Sequence, residues 1–275
     1  MLSCLALQSI SQDLPKLSPL SKSDYVVGLT RISLQYSRPS VRGRVIFGDL
    51  VPYDKVWRLG ANEPTKITTS TDVNFASNDG KVYLLPAGTY AIFAFPAANG
   101  NWKIVFNSDT EQWGAGNYQA DKDVVTLNLD AMPHEFTETL FIDINDISLT
   151  GASIVICWEK IKVVIPFKVD TYALAEKNIE QAVLEGKDLD KVYYGAANYY
   201  FNMINDLEKA LEYINLSIGV AKTHTSVFLK ARILYAKGEI KEAIKLAEEA
   251  KKMAEDAKQE RWVNYIQESL DEWSK

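Results

Sequence analysis

The densest chemistry in this sequence lies between Arg38 and Pro64, RPSVRGRVIFGDLVPYDKVWRLGANEP. Arg38, Arg42, Arg44, Arg58, Asn62 and Glu63 share this one segment. Arginine's planar fork of N–H donors suits bidentate recognition of a carboxylate or phosphate. Tyr53 and Trp57 are residue types that stack on a guanidinium or a sugar ring. Two readings follow. In the first, the segment is a structured loop that binds a small polar or anionic ligand. In the second, the arginines are internal staples bonded to loop carbonyls, and Glu63 neutralises one of them. An irregular segment needs such anchors to satisfy its backbone groups.

Other residues extend the candidate site. Glu63 and Glu159 are the pair of carboxylates that an acid/base hydrolase would need, although an arginine's partner is the commoner role for such a glutamate. Trp102 and Trp113 could join Trp57 in a carbohydrate platform, against the ordinary use of tryptophan in a β core. The candidate ligand-binding set is therefore Arg38, Arg44, Trp57, Arg58, Asn62, Glu63, Trp113 and Glu159. His134 and His224 have no second ligand at metal spacing, so no metal site is expected. Cys157 sits in an apolar run and reads as a core residue. Residues 86–89 (PAGT) and 114–116 (GAG) lack the lysine and helix context of a phosphate loop, and there is no GxSxG elbow. No cofactor is expected.

Two kinds of element must position these residues. From Tyr25 to Val169, short runs rich in Val, Ile, Thr, Tyr and Phe are broken by Gly, Pro, Asn and Asp. Strands are predicted near 25–36, 66–75, 81–85, 89–95, 102–107, 123–129, 138–144, 152–159 and 161–169. Turn chemistry at Asn78-Asp79-Gly80, Pro86-Ala87-Gly88 and Asn99-Gly100-Asn101 separates several of them. With no room for crossover helices, the expectation is an antiparallel β-sandwich, jelly-roll-like, over 24–170. The Arg38–Pro64 segment has neither a two-residue nor a 3.6-residue period, and such long loops in compact domains carry function or are disordered; Phe47, Tyr53 and Trp57 argue against disorder.

After Thr171 proline vanishes and apolar residues recur at three and four. Residues 205–218 align with 238–251 at an offset of 33, pairing Ala210 with Ala243 and Leu211 with Ile244. Upstream, Tyr194, Asn198 and Phe201 match Val227, Ala231 and Leu234. This resembles tetratricopeptide helix pairs, with helices 172–185 and 256–273 as caps. The chain is thus α+β and multidomain, the β-sandwich being followed by a short all-α helical-repeat domain over 171–275. Such repeats offer concave surfaces to protein partners, or else pack on a neighbouring domain or a second copy.

The chain has 275 residues, 47% of them apolar and 24% charged, which suffices for a packed core and excludes wholesale disorder. Its net charge is −6. Residues 171–275 hold 15 basic and 18 acidic residues, a net of −3, so the front part also carries −3. Neither part has the basic footprint of a nucleic-acid binder. No membrane span is expected. Two cysteines build no disulfide framework. Residues 1–23 read as a leader and linker: Leu2–Ile10 resembles the back half of a secretory signal, Cys4 loosely fits a lipid-acceptor box, and 13–23 reads as an extended linker. That places the protein in the periplasm or outside the cell, with a cytoplasmic location as the alternative.

Several stretches together carry a family resemblance: Tyr36 to Ser40, Arg42-Gly43-Arg44, Ile46-Phe47-Gly48, Leu50 to Tyr53, Val56-Trp57-Arg58 and Gly60 to Glu63. Leu85 to Tyr90, Gln112-Trp113-Gly114 and Trp158-Glu159 agree with them, while Pro64 stands where a small residue is expected. Over roughly 24–170 the chain resembles the bacterial domain-of-unknown-function family 2911. The resemblance implies a β-rich exported domain of Gram-negative bacteria, often with a helical tail, and implies no activity. The expected function is a non-catalytic binding protein of the cell envelope, its β domain taking a small polar or anionic ligand or a carbohydrate and its helical tail docking a protein partner. The alternatives are a hydrolase using Glu63 with arginine stabilisation, and a purely structural domain.

Overall fold

The computed structural model describes residues 14–112 and 114–275. The expectations for the leader, for Cys4 and for Trp113 fall outside the described residues. The chain divides into two compact units, Met1–Tyr172 and Ala173–Lys275.

In the front unit nine strands form one sheet among the described residues: β1 (Leu20–Val27), β2 (Thr30–Ser37), β3 (Thr65–Thr69), β4 (Val73–Ala76), β5 (Val82–Leu85), β6 (Gly88–Phe95), β7 (Asn101–Asn107), β8 (Asp123–Asn145) and β9 (Gly151–Val169). Their order across the sheet is β1-β2-β3-β6-β7-β8-β9-β4-β5, and every pairing is antiparallel. One hydrophobic core draws on both ends of that order. Ile32, Ile67 and Ile104 of β2, β3 and β7 share it with Phe75, Ile142 and Ile165 of β4, β8 and β9.

Three boundaries differ from the sequence expectation, each for a local reason. The expected linker 13–23 ends early, because Leu20–Ser23 already pair with β2 as part of β1. The expected strand 25–36 is a hairpin that turns at Gly28, where φ is +58. A Cβ there would lie 1.8 Å from Thr171 Oγ1, so the turn accepts only glycine. The expected strand 66–75 breaks at Ser70–Asp72, which lets β3 join β2 and β6 while β4 joins β9.

In the other direction, four expected strands merge into two. β8 is 23 residues long and β9 is 19. The inward set in β8 is Val125, Leu127 and Leu129, then Leu140, Ile142 and Ile144; in β9 it is Ile154, Ile156 and Trp158, then Val163, Ile165 and Phe167. The parity changes mid-strand in both. The ladder shifts register twice between Pro133 and Phe141, and Glu159 has φ +53. Bulges of this kind reset which face meets the core without ending the strand. β8 can then serve β7 with its first half and β9 with its second.

The Arg38–Pro64 loop is sewn to the middle of β8. Val41 N donates to Glu138 O, Leu140 N to Pro39 O, and Arg42 N to the Glu138 carboxylate, at 2.8, 2.9 and 2.9 Å. Its far end is tied to β6 by an antiparallel bridge, Trp57 N to Ala94 O at 2.7 Å and Ala94 N to Trp57 O at 2.8 Å.

Six helices follow among the described residues, the first starting at the end of the front unit and the rest lying in the second: α1 (Thr171–Glu185), α2 (Leu189–Tyr199), α3 (Leu207–Val220), α4 (His224–Ala236), α5 (Ile240–Asp256) and α6 (Glu260–Trp273). Asp206 caps α3 by accepting from Lys209 N, and Thr223 and Ser226 form a capping box on α4. Ala210 and Ala243, at the expected offset of 33, are both fully buried. The upstream match needs a correction. Asn198 is exposed, whereas Ala197 and Tyr200 are buried at the places that Ala231 and Leu234 hold in the next pair. The cause is a π turn at Tyr200–Ile204, closed by Asn205 N donating to Tyr200 O. A π turn adds one residue to a helix, so the first helices of the two pairs are offset by 34.

No helix among the described residues is long and apolar enough to cross a membrane.

Candidate functional site

The loop encloses a cleft of about 390 Å³ within the front unit. Pro39, Leu50, Val51, Pro52 and Val56 give it apolar walls, Trp57 and Trp158 lie beneath, and Arg42, Arg44 and Arg58 bring positive charge. The N-terminal segment contributes Leu17 and Ser18. That segment is held by its carbonyls: Leu17 O accepts from Arg42 Nη2 at 3.0 Å, Ser18 O from Asn62 Nδ2 at 3.3 Å, and Pro19 O from Arg38 N at 2.9 Å.

The four arginines of the loop do not do the same work. Arg38 Nε donates to Leu140 O at 3.1 Å. Arg42 donates to Leu17 O as above. Arg44 donates to Val41 O and Ser40 O at 3.0 and 2.6 Å, closing its own turn. These three are staples between chain segments. Arg58 is different. Its Nε is buried and has no hydrogen-bond partner among the described residues, and no ion pair to it is found among them. Burial pushes its guanidinium below the ordinary value.

The backbone that presents Arg58 is fixed on both sides. Trp57 is bridged to Ala94, Arg58 O accepts from Thr65 N at 3.2 Å, and Leu59 O accepts from Thr65 Oγ1 at 2.6 Å. Leu59 itself is fully buried with φ +52, a left-handed conformation that costs a non-glycine residue of order 1 kcal/mol. Gly114 approaches from the other side: a Cβ there would stand 3.1 Å from Arg58 Nη1.

Beneath the cleft is an aromatic cluster. Trp57 and Trp158 stack at 5.6 Å, and Phe47 meets Trp57, Trp102 and Trp158 edge-on at 6.0, 5.0 and 6.1 Å. Trp57 Nε1 is satisfied by Gly60 O at 3.3 Å. Trp158 Nε1 is buried and has no partner among the described residues. The cleft is thus lined by two side chains, Arg58 and Trp158, that each carry a buried N–H donor lacking an acceptor. Leaving such a donor unpaired costs about 1–3 kcal/mol.

Of the candidate residues, Arg44, Trp57 and Arg58 line the cleft. Arg38 is engaged at β8, and Asn62 bridges Ser18 and Ser37. Glu63 is exposed, 3.9 Å from Lys66, and does not line the cleft. Glu159 sits at the bulge of β9 and does not line it either. Trp113 lies outside the described residues. Trp57 and Trp102, 7% and 2% exposed, are core members and offer no open face for a sugar. Sequence reasoning did not assign Trp158 to the site, although it marked Trp158-Glu159 as part of the family pattern. No cluster of three or more metal-binding side chains occurs among the described residues.

An antiparallel β unit with a loop-built, arginine-bearing cleft is the class of protein that fold and site define. Residues 18–167 match the family described as protein of unknown function (DUF2911), and the chain belongs to that family. No curated protein and no solved structure matches the chain.

Proposed function

We propose that this chain is a binding protein whose front unit takes a small anionic ligand in the Arg58 cleft. One observation carries the reading: a backbone locked at Trp57, Arg58 and Leu59 presents a partly buried guanidinium whose Nε has no acceptor among the described residues. A fixed donor spends little ordering entropy on binding. A cleft of about 390 Å³ is within the range of small-molecule sites. Leu59's left-handed backbone beside Arg58 fits the tendency of strain to gather at ligand sites.

We read the sheet as a jelly-roll-like sandwich, supported by the single core shared between both ends of the strand order. We read the helices as tetratricopeptide-like, supported by the buried alanines at repeat spacing. For the helical unit we propose a docked protein partner. The concavity at Arg261, Trp262 and half-exposed Tyr265 is the surface that supports it. The apolar run Leu2–Ile10 supports a place in the cell envelope, periplasmic or secreted.

Thermal melting with a panel of small anions tests the cleft. A ligand that binds only the folded state raises Tm in proportion to RT ln(1 + [L]/Kd). At least one carboxylate or phosphate should raise the Tm of the wild type and leave that of Arg58→Met unchanged. Equal responses in the two proteins, or no response to any anion, would reject the reading.

A further inference from the structure

The cleft's chemistry narrows its ligand further, on the reading that it is an anion site. We infer that it takes a small monocarboxylate with an apolar body, the carboxylate accepting from Arg58 and from the Trp158 indole N–H. Four observations choose this class over its rivals.

The charge balance comes first. Arg38, Arg42 and Arg44 each donate to backbone carbonyls, which leaves Arg58 as the loop arginine without a partner among the described residues. Those hydrogen bonds do not neutralise Arg42 and Arg44, so three guanidinium charges line the cleft and favour an anion over a neutral ligand. A phosphate monoester brings three strong acceptor oxygens, against two buried N–H groups without acceptors among the described residues. In a desolvated cleft, charge that is not paired is costly.

The donor count comes second. Two residues of the lining, Arg58 and Trp158, carry buried N–H groups, Nε and Nε1, without acceptors among the described residues. A carboxylate has two oxygens and, when ionised, only accepts. Its needs match two side chains that can only donate. A neutral amide or alcohol would bring a donor of its own toward Arg58 and Trp158, which can only donate.

The walls come third. Pro39, Leu50, Val51, Pro52 and Val56 line the same cleft. Apolar walls reward an apolar ligand body at about 25 cal/mol per Å² buried. Sugars, with hydroxyls on every side, would leave most of those hydroxyls unpaired against them. The fourth observation also weighs against sugars: the Trp57 and Trp158 rings face each other at 5.6 Å, and Trp158 is 2% exposed. Neither ring presents the open face on which a sugar stacks.

Isothermal titration of the full chain with benzoate, hexanoate, benzamide, hexanamide, phenyl phosphate and glucose tests the class. Benzoate or hexanoate should bind at least about tenfold more tightly than its amide, the factor a charge-assisted hydrogen bond supplies. It should also bind more tightly than phenyl phosphate, and glucose should show no heat. In Arg58→Met, with folding checked by circular dichroism, carboxylate affinity should fall to the amide's level. Arg58→Lys, which keeps the charge but loses the fork, should restore part of it. The wild type's indole absorbance should also shift with benzoate or hexanoate and not with the amides.

Phenyl phosphate binding more tightly than both carboxylates would overturn the monocarboxylate assignment and leave the anion site standing. Amides or glucose binding as well as the carboxylates would overturn it too. No heat with benzoate, hexanoate or phenyl phosphate would overturn both the assignment and the anion site beneath it.

Discussion

Arg58 and Arg38 stand on one loop, have the same side chain, and play opposite parts. Arg38 Nε holds Leu140 O, so Arg38→Ala strands a backbone carbonyl and frees one end of the loop. A loss of about 1–2 kcal/mol in urea unfolding is expected, with Tm lowered to match. Arg58→Met removes a donor that has no acceptor among the described residues and keeps much of the side chain's apolar bulk. Its stability without ligand should be unchanged or higher by up to about 1 kcal/mol. A loss as large as that of Arg38→Ala would mean that Arg58 is a staple as well. The sequence placed both arginines in one candidate set and could not separate them. What distinguishes them is an acceptor about a hundred positions away on β8, and no local pattern reports it. Arg44, Trp57 and Arg58 were legible as cleft residues because they share the short segment that builds it. Trp158 was not, because its place depends on the bulge that follows it.

At the level of elements, hydrophobic alternation located the strands well and their ends poorly. The inward sets of β8 and β9 were readable as residues, but a change of parity inside a continuous strand looks the same as a gap between two strands. The hairpin at Gly28 was missed for a related reason. Val26, Val27, Leu29 and Thr30 continue the apolar run across the turn, and only the tertiary neighbour Thr171 shows why glycine is required. Gly28→Ala should therefore cost more than the strain of its positive φ alone. A loss of about 2–4 kcal/mol is expected, since the new Cβ overlaps Thr171 Oγ1 and comes within 2.4 Å of Leu149 O. A change below about 0.5 kcal/mol in chemical unfolding would show that the turn relaxes freely. In the helices, the offset of 33 was legible from the alanines of α3 and α5. The extra residue of the π turn was not, because a hydrogen-bond shift of one position leaves the composition untouched. Deleting Asn202, an exposed residue of that turn, should convert it to α-helix with a stability change of no more than about 1 kcal/mol, read by circular dichroism.

For the molecule as a whole, the titrating groups set a window of stability. The carboxyls of Asp79, Glu111 and Glu176 are held below their ordinary range, mainly by hydrogen bonds from Tyr83, Thr110 and Lys209 respectively. A depressed folded pKa contributes stability above the unfolded carboxyl value near 4 and loses it as pH falls. The phenols of Tyr118, Tyr194, Tyr200 and Tyr213 are raised, chiefly by burial, and Tyr118 is raised further by its bond to Asp123. A raised folded pKa contributes stability below the unfolded value near 10 and loses it as pH climbs past it. Tm should be flat between about pH 5 and 9 and fall on both sides, and Tyr118→Phe should shallow the alkaline limb of the front unit. An alkaline limb unchanged by that substitution would contradict the role given to Tyr118.

The central claim is that the Arg58 cleft binds a carboxylate, and a crystal structure grown with benzoate tests it most directly. The expected result is a benzoate in the cleft, with its carboxylate oxygens about 3 Å from Arg58 Nε and Trp158 Nε1 and its ring against Val51 and Pro52. A benzoate-free cleft in which Arg58 Nε donates to a carbonyl or carboxylate of the chain would contradict it, and would make the arginine-rich loop a set of four staples.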